Sequence, residues 1–190
     1  MRNLHLEKGR ADNDRKHNFV LSLIWQLNYV HHANAVLEAI ANGWTVSAIG
    51  SARSGTPLTI TTGTDVNLDG TNNDRANLVG KPVLDANRPR NAVTAMWFNT
   101  AAFVRPPTGQ DGNSGRNIID APGQKTVDLG LFREFRFRER MELQFRAEMT
   151  NAFNMVNLLD PTTNLSSALF GQTRTARAMR ETQLGLRLVF

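Results

Sequence analysis

From Phe19 to Tyr29 the chain alternates. Phe19, Leu21, Leu23, Trp25, Leu27 and Tyr29 form one set, and Val20, Ser22, Ile24, Gln26 and Asn28 form a second, mostly polar one. A period of two over this length predicts a strand with one apolar face, and no helical reading fits as well. The pattern is cleaner from Met141, where Met141, Leu143, Phe145, Ala147 and Met149 oppose Glu142, Gln144, Arg146, Glu148 and Thr150. It returns in the last residues, with Thr182, Leu184, Leu186, Leu188 and Phe190 set against Gln183, Gly185, Arg187 and Val189. Two shorter runs, over 44–49 and 127–132, complete the set. All seven prolines fall outside these runs, as strands require, because proline removes a ladder donor.

Strand length gives the pattern its meaning. Soluble strands average about 5–6 residues, whereas three of these runs extend over about nine to eleven. A strand of ~10 residues tilted by ~40° spans ~25 Å, the height of the apolar band of an outer-membrane barrel. The predicted class is therefore all-β: an antiparallel transmembrane β-barrel segment, an open curved sheet of about five or six strands with long extracellular loops. The connectors alternate between short and long. About thirteen residues (Val30 to Asn42) are followed by about seventy, then a turn around Arg138-Glu139, then about twenty-five. Short connectors are periplasmic turns and long ones extracellular loops in such barrels. That orientation gathers Tyr29, Trp44, Phe135 and Phe190 into an aromatic girdle at the periplasmic interface, with Phe19 and Phe153 at the outer rim. Residues 1–18 form an irregular N-terminus or the remnant of an extracellular loop. Residues 19–190 form the barrel portion, with one long loop over about 55–125.

Composition changes the picture less than pattern does. With 190 residues, 41% hydrophobic, 21% charged and a net charge of +5, the chain has the averages of a basic soluble domain. A β-barrel wall carries the same averages. The absence of cysteine excludes a disulfide scaffold, a thiolate zinc site and a cysteine nucleophile. No run reaches the ~18 apolar residues of a membrane helix. Met1 to Lys8 has a basic start without an apolar stretch, so no signal peptide is expected there. Nucleic acid is not an expected partner. Arg105, Arg116, Arg174, Arg177 and Arg180 fall in predicted loops without a helix-turn-helix or an aromatic RNA-binding motif. They suit either contacts to lipopolysaccharide phosphates or plain solvated loop surface. The charges opposite the apolar face, Glu142, Arg146, Glu148 and Arg187, are expected to pair across strands.

Two features carry candidate chemistry. Asp65, Asn67, Asp69 and Gly70, followed by Thr71 and Asp74, match D-x-[DN]-x-[DN]-G, the first half of a calcium loop. Position twelve is Ala76 rather than the bidentate glutamate, so Asp74 would have to supply that carboxylate. The same residues also make an ordinary polar turn without metal. His31-His32 lacks the spacing of a metal pair. Gly112-Asn113-Ser114-Gly115 is not a nucleophile elbow, since no strand leads into it and no helix follows, and no enzyme is expected.

Several phrases resemble a known family. They are Trp97-Phe98-Asn99-Thr100-Ala101-Ala102-Phe103, then Gly112-Asn113-Ser114-Gly115-Arg116-Asn117, then the run from Leu143 to Asn157, and the closing strand to Phe190. Together with Gly43-Trp44 and Ser54-Gly55-Thr56-Pro57, they resemble the C-terminal portion of TonB-dependent receptor-like outer-membrane proteins. The subgroup is the one with an N-terminal carboxypeptidase-regulatory-like domain. The resemblance implies a large barrel of about 22 strands with a plugged lumen, and uptake of a bulky nutrient driven through a periplasmic coupling protein. This chain would then be its C-terminal fragment. Phe190, with Leu188 and Leu186 before it, resembles the terminal signal read by the barrel-assembly machinery, a strand edge plus an aromatic anchor. A structural or adhesive barrel without energy coupling is the alternative, and a soluble β domain the third reading. Deletion of Phe190 from the full-length protein is expected to lower the outer-membrane fraction of folded barrel. Unchanged assembly in a heat-modifiability assay would remove Phe190 as the signal.

Overall fold

The computed structural model describes residues 7–31, 34–138 and 141–190. In chain order the elements are β1 (Asn18–Leu27), α1 (Ala35–Ala41), β2 (Trp44–Arg53), β3 (Pro57–Leu58), β4 (Asn77–Leu78), α2 (Arg90–Ala95), a 3-10 turn (Thr100–Ala102), β5 (Phe103–Val104), β6 (Ile119–Asp120), β7 (Gln124–Arg138), β8 (Met141–Thr150) and β9 (Glu181–Val189). They divide into two compact units.

One unit, Asn18–Arg53, Gln124–Asn157 and Ala178–Phe190, is a five-stranded sheet in the order β1-β2-β7-β8-β9. Every neighbouring pair is antiparallel. Directly opposed residues share a face, so the register sorts the side chains. Leu27, Trp44, Arg133, Phe145 and Leu186 form one cross-sheet row, and Leu23, Ala48, Leu129 and Met149 lie along another. The same face carries Val46, Val127, Leu131 and Leu143, while Asp128, Glu134, Glu142, Arg146 and Arg187 lie on the other. The five alternating runs are these five strands, and Met141–Thr150 coincides with its run. β7 is the exception, with 15 residues where alternation indicates 127–132. Lys125 and Arg133 interrupt its apolar positions, but the backbone ladder does not depend on side-chain polarity and continues past them. The expected turn at Arg138-Glu139 and the pair His31-His32 each include a residue outside those described.

The exit of β8 shows what the phrase from Leu143 to Asn157 builds. Asn151 and Asn154 adopt positive φ (47° and 52°), which asparagine tolerates better than most residues. The Asn151 amide N–H donates to Asp128 Oδ1 (2.8 Å), and its side chain clasps Met155 through both backbone groups (2.8 and 2.9 Å). Asn157 accepts from the Lys125 N–H (2.6 Å) and donates to the Lys125 carbonyl (2.8 Å). These asparagines replace ladder partners where β8 leaves β7.

The other unit comprises Met1–His17, Ser54–Gly123 and Leu158–Arg177. Its backbone is mostly irregular, yet it has a core of Ile60, Ala76, Phe98, Ala102, Phe103 and Ile119. Phe98, Phe103 and Phe170 meet edge to face, with centroids 5.7, 5.2 and 6.3 Å apart. The strand pairs β3–β6 and β4–β5 are two residues long, too short for alternation to register. The Trp97–Phe103 phrase supplies the core rings Phe98 and Phe103 and two ties: Trp97 Nε1 donates to the Asp120 carbonyl (2.8 Å) and Asn99 Nδ2 to that of Lys81 (3.0 Å). Asn113 Oδ1 accepts from the Leu78 N–H (2.6 Å), and a Cβ at Gly112 would lie 2.0 Å from the Arg75 carbonyl oxygen.

Charge fastens the segment before β1 to this unit. Lys16 Nζ lies 2.6 Å from Asp120, Arg10 also pairs with Asp120, and Arg116 meets Asp12 at 2.7 Å. The Asn117 side chain, then Arg116, hold the Asp12 carboxyl below the usual carboxylate range. Burial pushes Asp120 upward, but the bonds from Lys16 and Arg10 outweigh it and leave Asp120 lowered. Phe98 is 1% exposed, so Phe98→Ala should cost this unit about 3–5 kcal/mol. Faster amide exchange at Thr62 and Ala76, whose N–H groups bond Asp74 and Ile60, with unchanged exchange in β8, would register it.

Candidate functional site

The broad apolar face of the sheet is the first candidate. On its outermost strands Leu21, Leu23, Leu184 and Leu186 are 54–71% exposed. A soluble monomer rarely presents so large a contiguous apolar surface. Lipid removes that cost, and the opposite face is suited to water. There Arg136 approaches Glu142 (3.9 Å), Gln144 donates to Glu142 (2.7 Å), and Arg146 stacks over the Phe132 ring at 5.5 Å. Of the four charges expected to pair across strands, Glu142 does so, with Arg136 on β7 as its partner.

The proposed girdle residues separate into a contact and two edges. Trp44 and Phe135 meet edge to face at 6.3 Å, and Phe145 joins Trp44 at 5.8 Å. Tyr29 follows β1 and packs on Trp25 (5.9 Å), accepting a hydrogen bond from its indole (2.6 Å). Phe190 follows β9 at the opposite edge and is 93% exposed. Leu188 and Leu186 precede it on the same apolar face, opposite Leu143 and Phe145.

Among these rings lies a residue the sequence reading passed over. Arg133 occupies an apolar-face position yet is 8% exposed. Its guanidinium lies 4.6 Å from the Phe135 centroid and 5.4 Å from that of Trp44. One nitrogen donates to the Ala39 carbonyl at the end of α1, while Nε and Nη1 have no hydrogen-bond partner. The two π faces offset part of the lost hydration. Gly43 turns from α1 into β2 at φ +77°, and a Cβ there would sit 3.4 Å from Arg133 Nη1. The visible signal was an arginine interrupting Val127, Leu129 and Leu131 before Phe135.

The Asp65–Asp74 loop is the second candidate. Carboxylate oxygens of Asp65, Asp69 and Asp74 lie within 4.8 Å of one another. Asp74, 7% exposed, accepts from the N–H groups of Val66 (2.5 Å) and Asn67 (2.9 Å). Asp65 accepts from Asp69 (3.1 Å) and Gly70 (2.9 Å), while Thr71 bonds Asp69 through both N–H (3.0 Å) and hydroxyl (2.6 Å). Asn67 donates to Asp111, 44 positions away (2.8 Å), so a fourth carboxylate joins the loop that no local motif indicates. Ala76, at the position where a glutamate would close an EF-hand, is wholly buried in the core. The oxygen-rich, negatively charged arrangement suits a hard divalent cation.

Five long antiparallel strands, apolar on one face and charged on the other, define part of a membrane-spanning β-barrel wall. The chain belongs to the outer membrane beta barrel domain family, whose model matches residues 1–183. That membership places it in the bacterial outer membrane. No curated protein and no solved structure matches the chain.

Proposed function

We propose that this chain forms the C-terminal wall segment of a TonB-dependent receptor, a barrel that takes up a bulky nutrient with energy relayed by a periplasmic coupling protein. The observation that carries the segment part of this reading is strand parity. In a five-stranded antiparallel sheet, β1 and β9 run in the same direction. Antiparallel closure therefore needs an odd number of further strands, and at least about eight strands in all. Copies inserted in one orientation would offer each other parallel edges, so oligomerisation does not substitute for missing strands. The family phrases, placed on β8's exit and in the core of the second unit, favour the large energy-coupled barrel. Under this reading the long connectors reach the cell exterior, where lipopolysaccharide is their neighbour. The short ones lie in the periplasm, and Phe190 ends the strand presented to the assembly machinery. The role is transport and binding rather than catalysis.

The sequence encoded directly upstream tests it. A plug domain and a coupling box there, with uptake lost when the coupling protein is deleted, are the expected result. Surface binding that persists without either, in a barrel lacking a plug, would select the adhesive reading instead.

Calcium is the ligand proposed for the Asp65, Asp69 and Asp74 cluster, with Asn67 and Thr71 beside it and Asp111 opposite. Mutual repulsion of the carboxylates favours a cation between them. An extracellular site of this kind binds with a Kd on the order of 10⁻⁴ M. Titrating calcium into chelator-treated, folded protein should give saturable heat, and the paired change Asp65→Asn and Asp69→Asn should abolish it. A heatless titration of the unsubstituted protein would leave the loop an ordinary polar turn.

A further inference from the structure

The connection between β1 and β2 is built inside out for water. In α1 the residues Val36, Leu37 and Ile40 are 69%, 50% and 58% exposed. They fall on one side, because positions four apart align on a helix. Glu38 is half-buried on another side. Asn34 caps the helix start by accepting from the Leu37 N–H (2.8 Å), so the segment is a formed helix rather than a frayed turn.

Its other end is fastened from the apolar face of the sheet. Trp44 Nε1 donates to the Ile40 carbonyl (2.9 Å), and Arg133 donates to the carbonyl of Ala39. Both donors belong to the row Leu27, Trp44, Arg133, Phe145, which is the membrane side of the wall. They satisfy carbonyls that a helix terminus otherwise leaves to water. The Asn42 side chain clamps Val30 through N–H and C=O (2.9 and 2.6 Å), holding the two ends of the connection together.

From this juxtaposition we infer that α1 is an interfacial anchor. It lies against the phospholipid surface at the short-connector end of the wall, with Val36, Leu37 and Ile40 at the boundary between headgroups and acyl chains. The occupant is lipid because the exposed apolar residues belong to a helix tied to the lipid-facing side of the wall, and because the tether is an arginine–tryptophan pair at the strand ends, a pairing suited to the membrane interface. The leaflet is periplasmic under the orientation proposed above; contact with lipid itself rests on the outer-membrane wall.

The chain has no cysteine, so single cysteines give unambiguous label positions within it. The whole protein is refolded into phosphatidylethanolamine–phosphatidylglycerol vesicles carrying an environment-sensitive fluorophore at Leu37→Cys. Leu23→Cys serves as the wall control, and Leu68→Cys as the aqueous control. Doxyl-labelled phospholipid should quench the label at 37 as strongly as that at 23, with a matching blue shift, while iodide quenches only 68. Iodide quenching at 37 alongside lipid quenching at 23 overturns the anchor and leaves the wall intact. Resistance of 37 to both quenchers indicates a protein on that surface and overturns it too. Loss of lipid quenching at 23 as well as 37 overturns the membrane placement of the wall itself.

Discussion

A chain crossing a hydrocarbon layer must satisfy every backbone N–H and C=O without water, and the sheet is organised around that requirement. Each of the four strand pairs supplies a ladder of nine or ten registered partners. The ladder tolerates whatever side chains it meets, which is why β7 extends through Lys125, Arg133 and Glu134 although the hydrophobic pattern weakens there. Where the ladder ends, polar side chains take over its work: Asn151 and Asn157 beyond β8, and Asn42 beside α1. The same constraint makes the outermost strands incomplete as they stand and underlies the parity argument for further strands.

Charge placement follows from the same division of solvents. One face carries few ionisable groups, and the buried one, Arg133, is covered by aromatic rings and by a helix carbonyl. Burying an unpaired cation in lipid is costly, so an arginine there needs such a local solution. The solution also holds α1, so one residue joins wall chemistry to the behaviour of the connector. On the watery face, charges lie at ordinary exposure and contact one another loosely, as Arg136 and Glu142 do.

The second unit obeys a different rule. It has little regular secondary structure, and its stability depends on the Phe98, Phe103 and Phe170 cluster and on asparagine side chains standing in for ladders. Glycines such as Gly112 let backbones approach closely. Several of the phrases that resemble the receptor family fall in these joints and in the turn after β8. They are distinctive as sequence because Trp97, Asn99, Asn113, Asn151 and Asn157 each bond a specific backbone group there, whereas wall positions need only be apolar or polar.

Alternation alone determined the five strands, their apolar and charged faces and the all-β membrane class, because side-chain direction in a strand is a local, period-two property. The first half of the acidic loop was legible for the same reason, since Asp65, Asp69 and Asp74 are close in sequence. Only the tertiary structure decided what depends on distant residues. Asp111 reaches Asn67 across 44 positions, and Arg133 reaches Ala39 across 94. The irregular stretch between β2 and β7 acquires a core when Phe170 closes on Phe98 and Phe103. No local period encodes those meetings; they arise when hydrophobic burial and unpaired polar groups are satisfied together in three dimensions.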